Sequence, residues 1–595
     1  MDRHWKRNAL AACALLAAVT SNAHAAAPDT IYRNGYVYTV DANNSVQQAL
    51  AVREGRIVFV GSDKRAMALR GKRTKVVDLH GHMLMPGLID AHLHPLSGGK
   101  RLLHCNLNYE PLTVPQLQER VQACADKNTD PSKWLFVVNW FQQGMLPDNV
   151  ETSRATLDAI HTERPIVVRS SFGHSLLVSS KALKLSGITH DTPDPVAGKI
   201  TRDASGEATG ILEDAAMDIV EKMLPPSTPE ENLAAAEAAV KALRAQGVTT
   251  FFDADSDAEI LSAFSGIEKQ NKLTARAFFA PSIAPELGAD PARAVAGVVA
   301  LARQYDQGPQ QPRPHINVHQ AKLYMDGVIA APSFTGVMVE PYWVNKGTPQ
   351  QPHFAPGDSK GPPSYFPPAV LNAMFLELAK VGIDPHIHVD GDGAVRETLD
   401  AVQYLRSTPE GKDVRPGLAH DEIVTAADLP RFAQLDASAV LSLQWGKPAP
   451  DTVGGLKDFL GPQRYDLLEP QSLLLDAGAR IAFGSDWPVD ALDEWFALKV
   501  GVTRTNAPSA GPQYAGRLGT QKGMPRAAVI HAATINAAYT LRLEKEAGSL
   551  EVGKLADLIV LDRNFFRIAE EDIAHIKVLQ TVVGGKIVYQ DRAMR

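Results

Sequence analysis

Two histidines separated by one residue close the stretch PGLIDAHLHP, residues 86–95. A β-strand turns successive side chains to opposite faces, so His92 and His94 would project to the same side and reach one point beyond the strand's end. Two imidazoles aimed at one point can hold a metal ion. Other polar side chains recur along the chain at the ends of apolar runs or, for Lys322, inside an apolar segment that ends at Asp326-Gly327. Lys322 lies in AKLYMDG, His386 and His388 in IDPHIHVDGDG, His420 in RPGLAHDEIV and Asp486 in IAFGSDWPVD. Singly each is weak evidence, because a histidine at a strand end is commonly structural and an aspartate there commonly caps the next helix. Their recurrence at the ends of successive strands is the signal.

The elements that must position these residues alternate between helix and strand. ENLAAAEAAVKALRAQG precedes VTTFFDAD, AVLNAMFLELAKVG precedes IDPHIHVDGDG, and LLLDAGA precedes RIAFGSD. Such alternation predicts an α/β fold with a parallel sheet, and the length of residues 86–545 suits a closed (β/α)8 TIM barrel, whose active groups sit just past the strand ends. Residues 100–235 or so, with KWLFVVNWFQQG and PIVVRSSFGHSLLVSSKAL, exceed one barrel unit and read as an inserted subdomain that roofs the site. Short strands punctuated by glycine turns fill residues 26–85 and return over 546–595, in GSLEVGKLADLIVLDRN and IKVLQTVVGGKIVYQD. The two chain ends are therefore expected to build one composite β-sandwich. Residues 349–368 read as a proline-rich loop.

The chain has 595 residues, 45% of them hydrophobic and 21% charged, which is ordinary globular composition. A net charge of −7 argues against a nucleic-acid partner and leaves a small-molecule substrate, with a homo-oligomer compatible. The first 25 residues combine Arg3, Lys6 and Arg7, an apolar run from Ala9 to Val19, and small residues at Ala23 and Ala25. This is the pattern of a cleaved secretory signal, which puts the mature protein in the periplasm or outside the cell. A membrane anchor would need about 20 apolar residues, and a lipoprotein reading at Cys13 would need the apolar run before the cysteine, whereas most of it follows. No membrane association is expected after cleavage. Cys105 and Cys124 then remain in an oxidising compartment, either paired or as buried thiols.

PGLIDAHLHP, His388 in HVDGDGAV, His420 in LAHDEI, and GSDWPV together resemble the amidohydrolase superfamily, in the amidohydrolase family 3 branch of metal-dependent hydrolases similar to N-substituted formamide deformylase. The resemblance runs over nearly the whole mature chain and includes GSLEVGKLADLIVLD. It implies one or two divalent ions, zinc first, held by His92, His94, a carbamylated Lys322, His388, His420 and Asp486. Either His386 or His388 could face the metal on strand geometry; the family pattern matches at His388, and His386 then falls one layer deeper. Ala419 stands before His420 where many relatives carry Glu. His174 in SFGHSLLVSSKAL resembles a family motif and reads as a catalytic substrate contact or a structural residue, while Trp140, Trp445 and Trp487 either line the mouth as substrate-binding residues or simply pack.

Zinc lowers the pKa of a bound water from about 15.7 towards 7, and Asp486 would carry that water's proton to a leaving nitrogen. The resemblance thus predicts hydrolysis of the C–N bond of an amide, formamide or cyclic amide. A deaminase or an esterase/lactonase on the same scaffold is the alternative within enzymes, and a catalytically silent binding protein the alternative outside them.

Overall fold

The computed structural model describes residues 26–594, except 148, 149, 172, 174, 196, 197, 332 and 349. The leader 1–25 and His174 therefore lie outside the described residues.

Eight parallel strands among the described residues carry the candidate site. β1 (Leu88–Leu93), β2 (Val248–Ser256) and β3 (Arg276–Pro281) lie side by side, and the short strand Ile316–Asn317 extends their sheet. β4 (Gln320–Tyr324), β5 (Asp384–Val389), β6 (Gly417–His420), β7 (Ser438–Leu441) and β8 (Arg480–Phe483) follow in that order in a second sheet. Hydrogen bonds cross the edges of both sheets. The Ile283 N–H donates to the Lys322 carbonyl at 2.9 Å, and the Asp486 N–H donates to the His92 carbonyl at 2.8 Å. The second of these ties the start of the strand series to its end.

Local chemistry sets where each strand begins. The helix Pro229–Gln246 starts with a reciprocal cap, in which Thr228 Oγ1 accepts from the Glu231 N–H and Glu231 Oε2 accepts from the Thr228 N–H. It buries Ala235, Ala236, Ala239, Val240 and Leu243, then stops at Gly247, whose φ of 91° few other residues adopt. β2 follows at once. The register between β1 and β2 shifts where Phe251 faces Asp90 but Asp253 faces Leu93. This extra residue on β1 is a bulge, which re-aims the side chains beside it. Ala91 thus joins the apolar cluster of Ile89, Phe252, Phe278 and Ala482, and His92 turns to the same side.

Strands from both chain ends share a six-stranded sheet. Met83–Pro86 pairs with Tyr36–Tyr38 on one side and with Leu558–Leu561 on the other, Leu558 opposite Pro86. A four-stranded sheet of residues 30–78 packs on it through Tyr32, Leu50, Ile57, Leu84, Leu558 and Val582. Between β1 and β2 in the chain, residues 105–214 form a further six-stranded sheet with its own apolar clusters. Cys105 and Cys124 are joined there by a disulfide, which decides between the two states left open above. Tyr109 Oη donates to the Pro488 carbonyl at 2.9 Å and so ties this region to the loop that bears Asp486; Arg101 Nη1, on the helix Pro95–Leu103, donates to the same carbonyl at 2.8 Å and to Asn139 Oδ1 at 3.0 Å. No helix among the described residues is long and apolar enough to cross a membrane.

Candidate metal centre

His92, 2% exposed, lies near the end of β1, and His94 follows as the first residue outside the helix Pro95–Leu103. Asp486 sits past the end of β8 with φ of 52°, a left-handed conformation that aspartate tolerates better than most residues. The backbone bond to His92 holds it there. Its Oδ1 lies 3.1 Å from His94 Nε2 and 3.6 Å from His92 Nε2. Asp486 Oδ1 and His92 Nε2 are both buried without an aligned hydrogen bond. Buried polar atoms in this condition are rare and call for a partner, and a cation would satisfy all three donors at once.

A second group adjoins the first. One ligand atom each from His388, Asp390 and His420 lies within 4.8 Å of the others, as is true of His92, His94 and Asp486. The rings of His92 and His420 are 4.7 Å apart, and those of His388 and His420 are 4.5 Å apart. His388 Nε2 is 2.9 Å from the Gly327 carbonyl, which can only accept, so Nε2 carries the proton and Nδ1 is left free to ligate. His420, at the end of β6, stacks on Trp445 at 5.4 Å, and the Trp445 indole N–H donates to Asp490 Oδ2 at 2.9 Å.

Lys322 lies on β4, 1% exposed, with Nζ 4.5 Å above the Tyr324 ring. An ordinary ion pair with Asp326 is not its role here. The Asp326 carboxylate instead accepts the backbone N–H groups of Val337, Asp390 and Gly391 at 2.9, 3.0 and 2.9 Å. Burial pulls the Lys322 amine down to about 8, against the raising influence of Asp255 and Asp486. A neutral amine is therefore accessible near neutral pH.

Burial also keeps the imidazoles neutral, the form that binds metals. It pushes His92, His386 and His420 well below the usual histidine range, helped by the positive charge of Lys322, and it pushes His388 down to about 3. His94 departs from this: burial opposes its charge, yet the neighbouring Asp486 carboxylate raises it above its ordinary value.

The structure brings His92, His94, Lys322, His388, His420 and Asp486 to one end of the parallel strands. His386 lies one layer deeper, its Nε2 2.8 Å from His92 Nδ1, and belongs to neither donor group. Two of the three tryptophans take the packed alternative. Trp140 is 1% exposed within the core of the 105–214 region, and Trp487, 3% exposed, packs over Gly98, because large apolar rings contribute most when fully enclosed. Trp445 is the tryptophan that faces the donor groups. Asp390, two residues after His388 and just past the end of β5, joins His388 and His420 although no strand position marks it in the sequence. Asp253, within β2, is a further buried carboxylate that no local sequence pattern marks; burial pushes its carboxyl up to about 8.

A mixed α/β chain with parallel strands that deliver two His/Asp donor groups to one end is built to hold a cation. Its fold is shared with a metal-dependent hydrolase of uncharacterized function from Pyrococcus horikoshii, at a TM-score of 0.68 and 20% identity, over 91% of this chain and 99% of that one. Residues 75–589 match the amidohydrolase family, and the chain belongs to it. It is accordingly a hydrolase that acts on carbon–nitrogen bonds. Several curated relatives match over 94% of the chain. Protein LONG AFTER FAR-RED 3 of Arabidopsis thaliana is 28% identical over 91% of its own length, and N-substituted formamide deformylase of Arthrobacter pascens is 25% identical over 98% of its length.

Proposed function

We propose that the protein is an exported, metal-dependent amidohydrolase that cleaves the C–N bond of a small amide, formamide or cyclic amide. The observation that carries this reading is the convergence of His92 Nε2, His94 Nε2 and the buried, unbonded Asp486 Oδ1 beside the second donor group. His92, His94, Lys322, His388, His420 and Asp486 hold one or two divalent ions, zinc by preference. When bound, the cation acidifies a water molecule and polarises the scissile carbonyl.

The chain's own residues do the rest. Asp486 accepts the proton of the attacking water and delivers it to the leaving nitrogen, which departs as a neutral amine. Trp445, held by Asp490, walls the substrate beside His420. The neutral amine of Lys322 would add to CO2, forming an N–C bond and losing a proton, and the carbamate would then offer an anionic oxygen to an ion held by the donor groups. Lys322→Ala is expected to abolish turnover, and added short carboxylic acids are expected to restore part of it by supplying the missing oxygen. A fully active Lys322→Ala enzyme would count against a carbamate.

The two parallel sheets are read as one (β/α)8 TIM barrel, a reading supported by the hydrogen bonds across both pairs of edges. The sheets from the chain ends are read as one composite β-sandwich, and the 105–214 sheet as a subdomain inserted over the site. Export is supported by the leader pattern and by the Cys105–Cys124 disulfide, which persists in oxidising compartments. A mature mass beginning at Ala26 is expected, and a retained Met1 would contradict it.

A substrate panel tests the activity. N-substituted formamides come first because a relative of nearly full length is named for them. Release of amine from a formamide, amide or cyclic amide is expected; ester hydrolysis with no C–N cleavage at all would overturn the reading.

A further inference from the structure

His386 is a buried imidazole beside the donor groups that the chemistry above leaves unused. It is 4% exposed, on β5, with Lys322 opposite on β4 and Gly417 opposite on β6. Its ring lies edge-on to Phe252 at 4.8 Å and 4.9 Å from the ring of His92. Gly417 makes room for it: a Cβ at that position would come 3.0 Å from His386 Nδ1. The ring is thus fixed from several sides, with Nε2 2.8 Å from His92 Nδ1.

Only one proton fits between those two nitrogens, and its owner decides what His92 can do. If His386 donates, a neutral His92 must carry its own proton on Nε2, the atom that faces Asp486, and its lone pair there is lost. If His92 donates, its Nε2 lone pair is free. The orphaned, buried state of His92 Nε2 fits the second arrangement.

We propose that His386 is a positioning residue that accepts the Nδ1 proton of His92 and so holds His92 in the orientation and tautomer that bind metal through Nε2. The inference rests on the reading of His92 as a ligand. Histidine ligands ordinarily give this proton to a carboxylate, a carbonyl or water, as His388 does to Gly327. A neutral imidazole as acceptor leaves His92 a neutral, weaker donor than a carboxylate partner would make it, and so keeps more of the charge on the ion it holds.

Cobalt(II) affinity of the metal-free full chain, measured by competition with a chromophoric chelator, tests this without relying on turnover. His386→Leu keeps bulk but removes the acceptor, and is expected to weaken binding by about 10–100-fold, the usual cost of losing such a partner. His386→Gln, whose amide oxygen can accept the same proton, is expected to restore most of the affinity. The thermal midpoint of each metal-free variant checks the fold. Should His386→Leu fail to fold, His386→Met, with a flexible side chain suited to irregular cores, takes its place. A folded His386→Leu or His386→Met protein that binds cobalt as tightly as wild type would overturn the proposal, as would a Gln variant as weak as the apolar one. A wild-type chain that binds no cobalt would instead overturn the metal reading itself, so the two failures are distinguishable.

Discussion

A chain carrying His92→Ala and His94→Ala together is expected to fold, to hold no metal in the first donor group, and to lose turnover by about 10⁴-fold or more, since the cation and the water it acidifies go together. Each imidazole directs Nε2 to within 3.6 Å of Asp486 Oδ1. Without them Asp486 is the last of its three donors, short of the four ligands zinc usually takes. The fold survives because β1 keeps its pairing with β2, and because His94 lies outside the strand. Deleting the His92 ring leaves a cavity beside His386 and His420, so some loss of stability accompanies the loss of metal. Metal content and a thermal melt on the same preparation check both halves. Full metal occupancy in the double variant would move the site elsewhere.

Asp486→Asn separates proton transfer from binding. Asparagine keeps the shape and one carbonyl oxygen, and it adopts left-handed backbone at least as readily as aspartate, so the φ of 52° is tolerated. What it loses is basicity. The expected result is a fall in kcat of about 10² to 10⁴, the usual contribution of general acid–base catalysis, with a much smaller change in KM. A purely structural role as a helix cap predicts no such fall, and the structure gives that role to another residue: Asp493 accepts the Phe496 N–H at 3.0 Å and caps the helix Glu494–Thr503. If the variant also loses metal, the measurement is repeated with metal in excess. Unchanged kcat in the metal-replete variant would remove Asp486 from the proton path.

Much of the site could be read from strand periodicity. His92 with His94, and Asp486 after IAF, announce themselves because ligands at strand exits leave a local pattern of apolar run, then polar residue. Local patterns end there. The bulge that turns His92 inward is a relation between β1 and β2, and the contact of His386 with His92 joins strands far apart in sequence. Neither leaves a mark within one segment. Trp140 and Trp487 look alike to a sequence reader whether they pack or face a ligand, because burial is decided by what lies opposite. The cysteines posed the same difficulty: a separation of 19 residues allows pairing, and only the placement of Cys105 beside the helix bearing Cys124 brings them together.

Metal analysis of the mature protein, purified without chelator, tests the central claim most directly. At least one tightly held divalent ion per chain is expected, zinc first, with hydrolysis of a C–N substrate lost on chelation and regained on adding the ion back. A chain that contains no divalent metal and hydrolyses the same substrate at an undiminished rate in chelator would contradict the account.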